Sequence, residues 1–293
     1  MPFAYDMPLY RPPSEGRNLI IQATLGCSWN HCTFCSMYKS KDFTVRPLDA
    51  VFADIETAAR EWPDASRVFL ADGDALALPT DHLVRILDKL TACFPGLARV
   101  SCYALPLNLL KKSVDELARL RAHRLRLLYF GIESGSKEVL RRIKKGATVK
   151  GMIAGLEKAR EAGMKVSATV VLGLGGRGLW RQHVDGTAEL VNRAPLSYLS
   201  TLQLGLEAGV VRGFLDGFEG SFVPQDDAGM LAEQRRLIAA LDPPGPVIFR
   251  SNHASNALAL AGTLPKDRDR LLALIDAARD GAVPLRPTFL RGL

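Results

Sequence analysis

Short apolar runs alternate with longer amphipathic runs over most of this sequence, and this alternation limits the possible fold more than any other feature. The apolar runs contain few polar residues, as expected for parallel strands that are buried on both faces. The amphipathic runs between them have the length and spacing of helices. Strand–helix alternation of this kind predicts a parallel barrel or a doubly wound parallel sheet.

We predict about six βα units, fewer than the eight of a complete barrel. The fold class is therefore α/β, a partial (βα)6 barrel with a small C-terminal α/β extension. The predicted strands cover 18–24, 67–71, 99–104, 125–132, 166–172 and 199–206. The predicted helices cover 48–60, 81–94, 114–122, 137–143, 150–162 and 183–192.

The alternation is interrupted over 209–227, a segment rich in Gly, Phe and Asp. A helix at 228–241, an apolar run at 247–249 and a last helix at 266–280 are predicted after it. We expect three parts: an irregular N-terminal arm (1–17), a core barrel (18–210) and an extension (211–293) that completes the substrate site.

The formal net charge of +7 permits an anionic partner but does not require one. The sequence has no apolar run long enough to span a bilayer, and its polar, Pro-rich start is not a secretory signal. We therefore expect a cytoplasmic protein without a membrane partner. Its five cysteines are then metal ligands or buried thiols rather than disulfides.

Three of these cysteines, Cys27, Cys32 and Cys35, form the pattern CxxxxCxxC directly after the first predicted strand. The carboxyl ends of parallel strands are where α/β folds build their sites. Three thiolates from one loop can bind three irons of a 4Fe–4S cluster and leave the fourth iron open. The alternative is a structural zinc site with His31 as the fourth ligand, although His31 is adjacent to Cys32 and both binding one ion would strain the chain.

Four further segments accompany the cysteines: FLADGDAL at 69–76, SCYALP at 101–106, YFGIESGSKEVLRRIKKG at 129–146 and SATVVLGLGG at 167–176. With them, the sequence resembles the radical S-adenosylmethionine (SAM) superfamily across residues 18–210. It is most similar to the branch that includes methylthiotransferases, the Elongator catalytic subunit and oxygen-independent coproporphyrinogen oxidases. The superfamily's commonest spacing is CxxxCxxC, so this chain has one extra residue in the first gap.

The resemblance implies an oxidoreductase or transferase that cleaves SAM reductively at a 4Fe–4S cluster and forms a 5′-deoxyadenosyl radical. It also implies an electron donor such as flavodoxin or ferredoxin. Asp72, Gly73 and Asp74 match the motif that meets the SAM amino group, with an ordinary turn as the alternative. The remaining residues that the resemblance assigns to cofactor binding are Phe34, Tyr38, Ser101, Tyr103, Glu133, Ser134, Lys145 and Thr169. For Lys145 the alternative is an exposed helix end, and for Thr169 packing inside the barrel.

The polar segment RSNHASN offers candidate substrate or proton-transfer groups at Arg250, Asn252, His253 and Asn256. The alternative is a turn whose Ser and Asn cap a helix over 257–261. A small-molecule substrate is favoured, because no RNA-binding module and no second cysteine cluster accompany the core. An RNA-modifying radical SAM enzyme is the first alternative. A non-catalytic iron–sulfur or zinc-binding protein is the second.

Overall fold

The computed structural model describes residues 4–292, so the start of the predicted arm, Met1, Pro2 and Phe3, and the last residue, Leu293, lie outside the described residues. The chain divides into two compact units. The first unit comprises the chain up to Asn30 together with Met37–Phe130 and Lys158–Val166. The second comprises His31–Ser36, Gly131–Glu157 and the chain from Ser167 onwards.

The first unit contains a parallel sheet in which β1 pairs with β4, β4 with β5 and β5 with β6. A separate antiparallel pair joins β2 to β3 on either side of the cysteine segment. The strands are β1 (Leu19–Gln22), β2 (Thr24–Leu25), β3 (Thr44–Val45), β4 (Arg67–Ala71), β5 (Arg99–Tyr103) and most of β6 (Leu125–Glu133). The helices are α1 (Leu48–Glu61), α2 (Thr80–Cys93), α3 (Pro106–Lys111) and α4 (Val114–Ala122).

The core of the first unit forms where the strands meet one apolar stripe of each helix. On α1 the stripe is Val51, Ile55 and Ala58, whose spacing places the three side chains on one helical face. Helix α1 packs against α2. Helix α4 begins with a capping box in which Ser113 and Glu116 each bind the other's backbone amide.

A buried carboxylate is among the contacts that attach the described part of the N-terminal arm to the first unit. Glu15 accepts hydrogen bonds from the Arg99 guanidinium at 2.7 Å and from the Tyr129 hydroxyl at 2.6 Å. The side chain of Glu15 is 0% exposed. Because removing a buried charge's partner is strongly destabilising, this contact fixes the arm at residue 15.

The second unit contains most of β7 (Lys165–Leu172) and the strands β8 (Tyr198–Gln203), β9 (Val247–Ser251) and β10 (Leu260–Leu264). Strands β7, β8 and β9 pair in parallel, and β10 pairs antiparallel to β9. The helices are α5 (Lys137–Arg142), most of α6 (Val149–Glu161), α7 (Gly176–Arg193), α8 (Ala208–Gly217), α9 (Asp227–Ala240) and α10 (Arg268–Arg279). Helix α9 packs against α7 and α10.

The α/β class with mostly parallel strands is confirmed, and the structure corrects the sequence prediction in three places. Helix α8 (Ala208–Gly217) covers the first part of 209–227, where we predicted an interruption of the alternation, and helix α7 begins at Gly176 rather than at His183. The helix that one alternative placed over 257–261 is wrong, because strand β10 begins at Leu260. Among residues 4–292 we find no helix with the length and apolar character needed to cross a membrane.

Candidate functional site

The three cysteines of the CxxxxCxxC pattern lie in the segment between β2 and β3. Cys27 and Cys35 are half-buried and Cys32 is buried, and none of the cysteines among the described residues forms a disulfide. Over residues 4–292, the structure contains no set of three His, Cys, Asp or Glu side chains gathered as metal ligands. The cysteine segment supplies three thiols as donor atoms.

The segment around Cys27 is bound by the predicted SAM motif that follows β4. Asp72 accepts a hydrogen bond from the Gly26 amide at 3.0 Å, and Asp74 accepts one from the Ser28 hydroxyl. The Gly73 amide donates to the Gly26 carbonyl at 3.0 Å. A Cβ atom at Gly73 would lie 2.8 Å from the Tyr38 ring and 3.0 Å from Cys27 Cβ, so only glycine fits here.

Both aspartates of this motif are buried, with 0% exposure. Burial raises the pKa of Asp74 to about 6, against the opposing effect of hydrogen bonds from Ser28, Leu105 and Asn108. Asp72 also accepts from Lys41, at 3.0 Å. The carboxylates of the predicted ammonium site therefore already have protein donors.

The segment around Cys32 and Cys35 belongs to the second unit and lies beside the end of helix α5. The Thr33 amide donates to the Ile143 carbonyl at 3.0 Å. The ring of Phe34 packs against an apolar cluster in the same unit, formed by Val139, Ile143, Val171, Leu174, Phe214 and Phe218. The predicted cofactor residue Phe34 is thus held by side chains from several other segments of the chain.

Glu133 and Lys145 form a buried ion pair in the second unit, with Lys145 Nζ 3.0 Å from Glu133 Oε1. Lys145 is only 6% exposed, so its alternative as an exposed helix end is wrong. Burial disfavours the Lys145 ammonium, but the charges of Glu133, Cys32 and Cys35 outweigh this and raise its pKa. A Cβ atom at Gly131 would lie 2.0 Å from Glu133 Oε1, so this glycine makes room for the pair.

The loop after Glu133 is held tightly against helix α7. Glu133 has a φ of 60°, which is uncommon outside glycine and turns the chain sharply after β6. The Gly135 amide donates to Thr187 Oγ1 at 2.8 Å. A Cβ atom at Gly135 would lie 2.1 Å from the Gly186 carbonyl oxygen, so loop and helix approach backbone to backbone.

Ser134 leads to a buried polar chain that the sequence reasoning missed. Its Oγ lies 2.8 Å from His183 Nδ1, and His183 Nε2 lies 3.3 Å from Glu233 Oε1. Glu233 also accepts a hydrogen bond from the Gly173 amide at 3.0 Å. The side chains of His183 and Glu233 are both 0% exposed. The signal in the sequence was a polar residue in register with apolar ones, His183 seven residues before Leu190 in α7 and Glu233 four residues before Leu237 in α9.

Burial disfavours the charged forms of both His183 and Glu233. Desolvation lowers the pKa of His183 to about 4, despite a hydrogen bond with the Val171 backbone. Desolvation also raises the pKa of Glu233 to about 7, against the hydrogen bond from Gly173. One proton therefore resides on the carboxyl group rather than on the imidazole below about pH 7.

The remaining predicted cofactor residues lie on strands or beside them. Ser101 in β5 is buried and donates to the Val68 carbonyl at 3.4 Å. Tyr103 is half-buried, with its ring edge-on to Phe69 at 5.1 Å. Thr169 in β7 is half-buried. Tyr38 is 3% exposed, and burial raises its pKa well above the usual range.

The candidate substrate segment RSNHASN connects β9 to β10 and is held by the second unit's own side chains. Asn256 is buried: its amide donates to the Thr201 carbonyl at 2.7 Å and accepts from the Gln203 amide at 2.8 Å. His253 is half-buried, with Nδ1 2.9 Å from Ser255 Oγ, while Arg250 and Asn252 are exposed. Asn256 is thus engaged as an anchor. Arg250 Nη1 donates to the Phe249 carbonyl at 2.8 Å, so this guanidinium is also partly engaged by the protein.

Comparison with known proteins gives one family match. The model of the radical SAM superfamily matches residues 21–191, more than half of the chain. A protein of Methanocaldococcus jannaschii with the provisional name methylthiotransferase is 24% identical over 164 residues, 54% of this chain and 36% of the relative. The chain therefore spans little more than a third of that relative's length.

Solved structures of radical SAM enzymes share the fold. The coproporphyrinogen III oxidase of Escherichia coli matches 76% of this chain and 51% of its own, with a TM-score of 0.57 and 18% identity. The methyltransferase TsrM of Kitasatospora setae, solved with cobalamin and a [4Fe-4S] cluster, matches 64% of this chain and 37% of its own, with a TM-score of 0.52 and 18% identity. At these identities the likeness establishes the fold alone.

Proposed function

The chain belongs to the radical SAM superfamily, whose members are enzymes that bind a 4Fe–4S cluster and SAM, and we propose that it cleaves SAM reductively to act on a small-molecule substrate. Cys27, Cys32 and Cys35 are the proposed cluster ligands. The observation that carries the proposal is the buried Lys145–Glu133 pair beside the segment of Cys32 and Cys35. When bound, the cluster supplies the electron for SAM cleavage, which a flavodoxin or ferredoxin would deliver.

The donor chemistry of the cysteine segment fits an iron–sulfur cluster. Three thiols in one loop are the usual ligands for such clusters. Cys32 and Cys35 interact electrostatically with the Lys145 ammonium, which places a positive charge beside the proposed ligands. A fourth cysteine is absent from the loop, which leaves one iron for another ligand. These features support a cluster that binds SAM more than a closed zinc site.

Lys145 and Glu133 would bind the amino-acid part of SAM through their charges. The Lys145 ammonium is suited to the carboxylate of SAM, and the Glu133 carboxylate is suited to its ammonium or to ribose hydroxyls. Because both groups are buried and already paired, they would meet SAM with little further loss of side-chain entropy. The strained backbone at Glu133 and the attachment of its loop to α7 support this positioning role.

A small-molecule substrate is supported by how the basic residues are distributed in the second unit. Half-buried Trp180 has the Arg181 guanidinium 4.7 Å from its ring centre, as a nucleic-acid stacking site would. However, the neighbouring Arg236 is bound to Asp185 at 2.6 Å and Arg235 to Asp276 at 2.6 Å. These carboxylates neutralise most of the local charge that would attract a phosphate backbone. RNA is therefore the second candidate substrate class.

The proposal is tested by reconstituting the protein anaerobically with iron and sulfide and then adding dithionite and SAM. We expect a 4Fe–4S signal in electron paramagnetic resonance (EPR) spectra and release of 5′-deoxyadenosine. A variant with Cys27, Cys32 and Cys35 all replaced by Ala is the control and should give neither. Uptake of zinc in place of iron, with no SAM cleavage, would contradict the proposal. Copurifying RNA that is released by salt would favour the RNA alternative.

A further inference from the structure

We propose that Asp72 and Asp74 are positioning residues that hold the backbone on both sides of Cys27, and that neither carboxylate receives the amino group of SAM. The inference rests on the proposed function, because it concerns how the cluster's first ligand is placed. The residues concerned all belong to the first compact unit. Asp72 and Asp74 flank Gly73. They bind Gly26 and Ser28, the two residues that flank Cys27.

Asp72 holds the residue before Cys27. Its Oδ2 accepts from the Gly26 amide at 3.0 Å and from Lys41 Nζ at 3.0 Å, and its Oδ1 accepts from Gln22 Nε2 at 3.0 Å. The Asp72 side chain is 0% exposed and that of Lys41 is 7% exposed. Lys41 Nζ also lies 2.8 Å from Asp6 Oδ1, so two carboxylates share this ammonium, and both oxygens of Asp72 have donors.

Asp74 holds the residue after Cys27. Its Oδ2 accepts from the Ser28 hydroxyl and from the Asn108 amide, and its Oδ1 accepts from the Leu105 amide at 3.3 Å. Asp74 is also 0% exposed. This carboxylate therefore links the cysteine segment to the start of helix α3.

Gly73 completes the arrangement between the two aspartates. Its amide donates to the Gly26 carbonyl, so Gly26 is bound through both its amide and its carbonyl group. Gly73 has no side chain, which makes room for Cys27. A Cβ atom at residue 73 would lie 3.0 Å from Cys27 Cβ and would collide with it. Cys27 is therefore contacted by Gly73 and held on each side along the chain.

This hydrogen bonding leaves little capacity for a ligand. Two carboxylate oxygens offer about four acceptor positions, and each aspartate already receives three donors. Each buried carboxylate thus keeps only about one acceptor position, and a closer approach by the SAM ammonium would displace a present donor and leave it unsatisfied. The motif's contribution to SAM would then come from backbone atoms. Its two side chains act on Cys27 and reduce the order that the loop must gain when the cluster binds.

The test compares Asp72→Asn with Glu15→Gln as a matched control. Both replace a fully buried carboxylate of the first unit by the isosteric amide, but Glu15 holds the N-terminal arm rather than the cysteine segment. The amide nitrogen introduced by Asp72→Asn cannot accept a hydrogen bond, so one of the three groups that donate to Asp72 would lose its acceptor. We expect this variant to lose its cluster to an iron chelator roughly tenfold faster than wild type, since a hydrogen bond to a charged group is lost. Its cluster should also have a shifted midpoint potential, whereas Glu15→Gln should match wild type in both readouts.

Ser28→Ala and a rescue pair make the test independent of how well Asp72→Asn folds. Ser28→Ala removes one donor to Asp74 without burying a new polar group and should speed cluster loss severalfold. Asp74→Asn should do the same, and Asp74→Asn combined with Asn108→Asp should restore the wild-type rate, because the donor and acceptor are exchanged. The dissociation constant for SAM, measured on the cluster-loaded fraction, should change less than about threefold in all of them, as expected if no direct contact is lost.

The opposite result would overturn the inference. If Asp72→Asn and Ser28→Ala keep wild-type chelation rates and potential while Asp72→Asn raises the dissociation constant for SAM more than tenfold, the carboxylate binds SAM directly. Equal rates in all variants with unchanged SAM affinity would also refute the positioning role. Failure of the wild-type protein to take up any cluster would instead refute the proposed function.

Discussion

Replacing Glu233 by Gln should make the free energy of unfolding decrease, relative to wild type, as the pH is lowered from 6.5 to 4. With the carboxyl group gone, His183 titrates alone. Its imidazole is protonated near pH 6.5 in the unfolded chain but only near pH 4 in the folded protein. A group whose folded pKa is depressed contributes stability above the unfolded pKa, and this stability is lost as the pH falls through the folded pKa. The interval of about 2.5 pH units corresponds to roughly 3 kcal/mol.

Replacing His183 by Gln should produce the opposite pH dependence. Glu233 then titrates alone, with an ordinary pKa of 4.5 in the unfolded chain and a folded value of about 7. A raised folded pKa gives stability that is complete below pH 4.5 and is lost as the pH rises to 7. The expected loss over that interval is again roughly 3 kcal/mol. In wild type the two groups together bind one proton in both states between pH 4.5 and 6.5, so their effects cancel.

The measurement is urea unfolding of the metal-free protein between pH 4 and pH 8, with each variant's free energy subtracted from that of wild type at the same pH. The subtraction removes the contributions of all other titrating groups, because they are common to the proteins compared. Slopes of opposite sign for the two variants are the expected result. Difference curves that stay flat within about 0.5 kcal/mol for both variants would refute the buried, uncharged pair, since they would mean that neither pKa changes on folding.

Three further predictions concern other contacts. Lys145→Met should leave Glu133 buried without its partner and so lower the free energy of unfolding by about 3 kcal/mol. The same variant should bind SAM at least tenfold more weakly in isothermal titration, and Lys145→Arg should recover part of the affinity. Asn256→Ala should lower the free energy of unfolding by about 2 kcal/mol in urea unfolding, because backbone groups of β8 lose their partners. SAM cleavage without substrate should stay unchanged, and a drop in that cleavage would contradict an anchoring role. Ser113→Ala should destabilise by about 1 kcal/mol through loss of the α4 cap, and unchanged thermal unfolding would count against the capping box.

The regular part of the fold was predictable from the sequence because burial imposes clear patterns there. The strand predicted at 67–71 matches β4 (Arg67–Ala71), and the helix predicted at 114–122 matches α4 (Val114–Ala122). Both have strong local signals, a continuous apolar run in β4 and a capping Ser with Glu three residues later in α4. Local chemistry was sufficient where no distant contact decided the conformation.

Elements whose conformation depends on distant partners were missed. Strand β10 (Leu260–Leu264) contains Ala and Gly, which have low strand propensity, and it forms because it can pair antiparallel with β9. The N-cap and first turn of α7 contain three glycines, so the sequence signalled a turn, whereas the Arg177 amide is held by a hydrogen bond to the distant Val223 carbonyl. Tertiary contacts outweighed intrinsic propensity at both places.

The residues of the candidate site also divide into those that the sequence predicts and those that only distant contacts reveal. Glu133 and Lys145 were predicted from a resemblance, and the structure brings them together at 3.0 Å. Lys41 and Gln22, which neutralise and bind Asp72, carry no local signal, because their relation to it appears only when the chain segments meet. Assignment of Cys27, Cys32 and Cys35 as cluster ligands stays a prediction from their spacing.

The close approach of Gly135 and Gly186 limits which substitutions this site can tolerate. An added Cβ at Gly135 would meet the carbonyl oxygen of residue 186, and one at Gly186 would lie 2.6 Å from the carbonyl oxygen of residue 135. Each clash is with a backbone atom, so no change of side chain at the opposite position can relieve it. In a mutational library aimed at new substrates, both codons should therefore stay fixed, while diversity is directed to exposed positions such as Arg250 and Asn252.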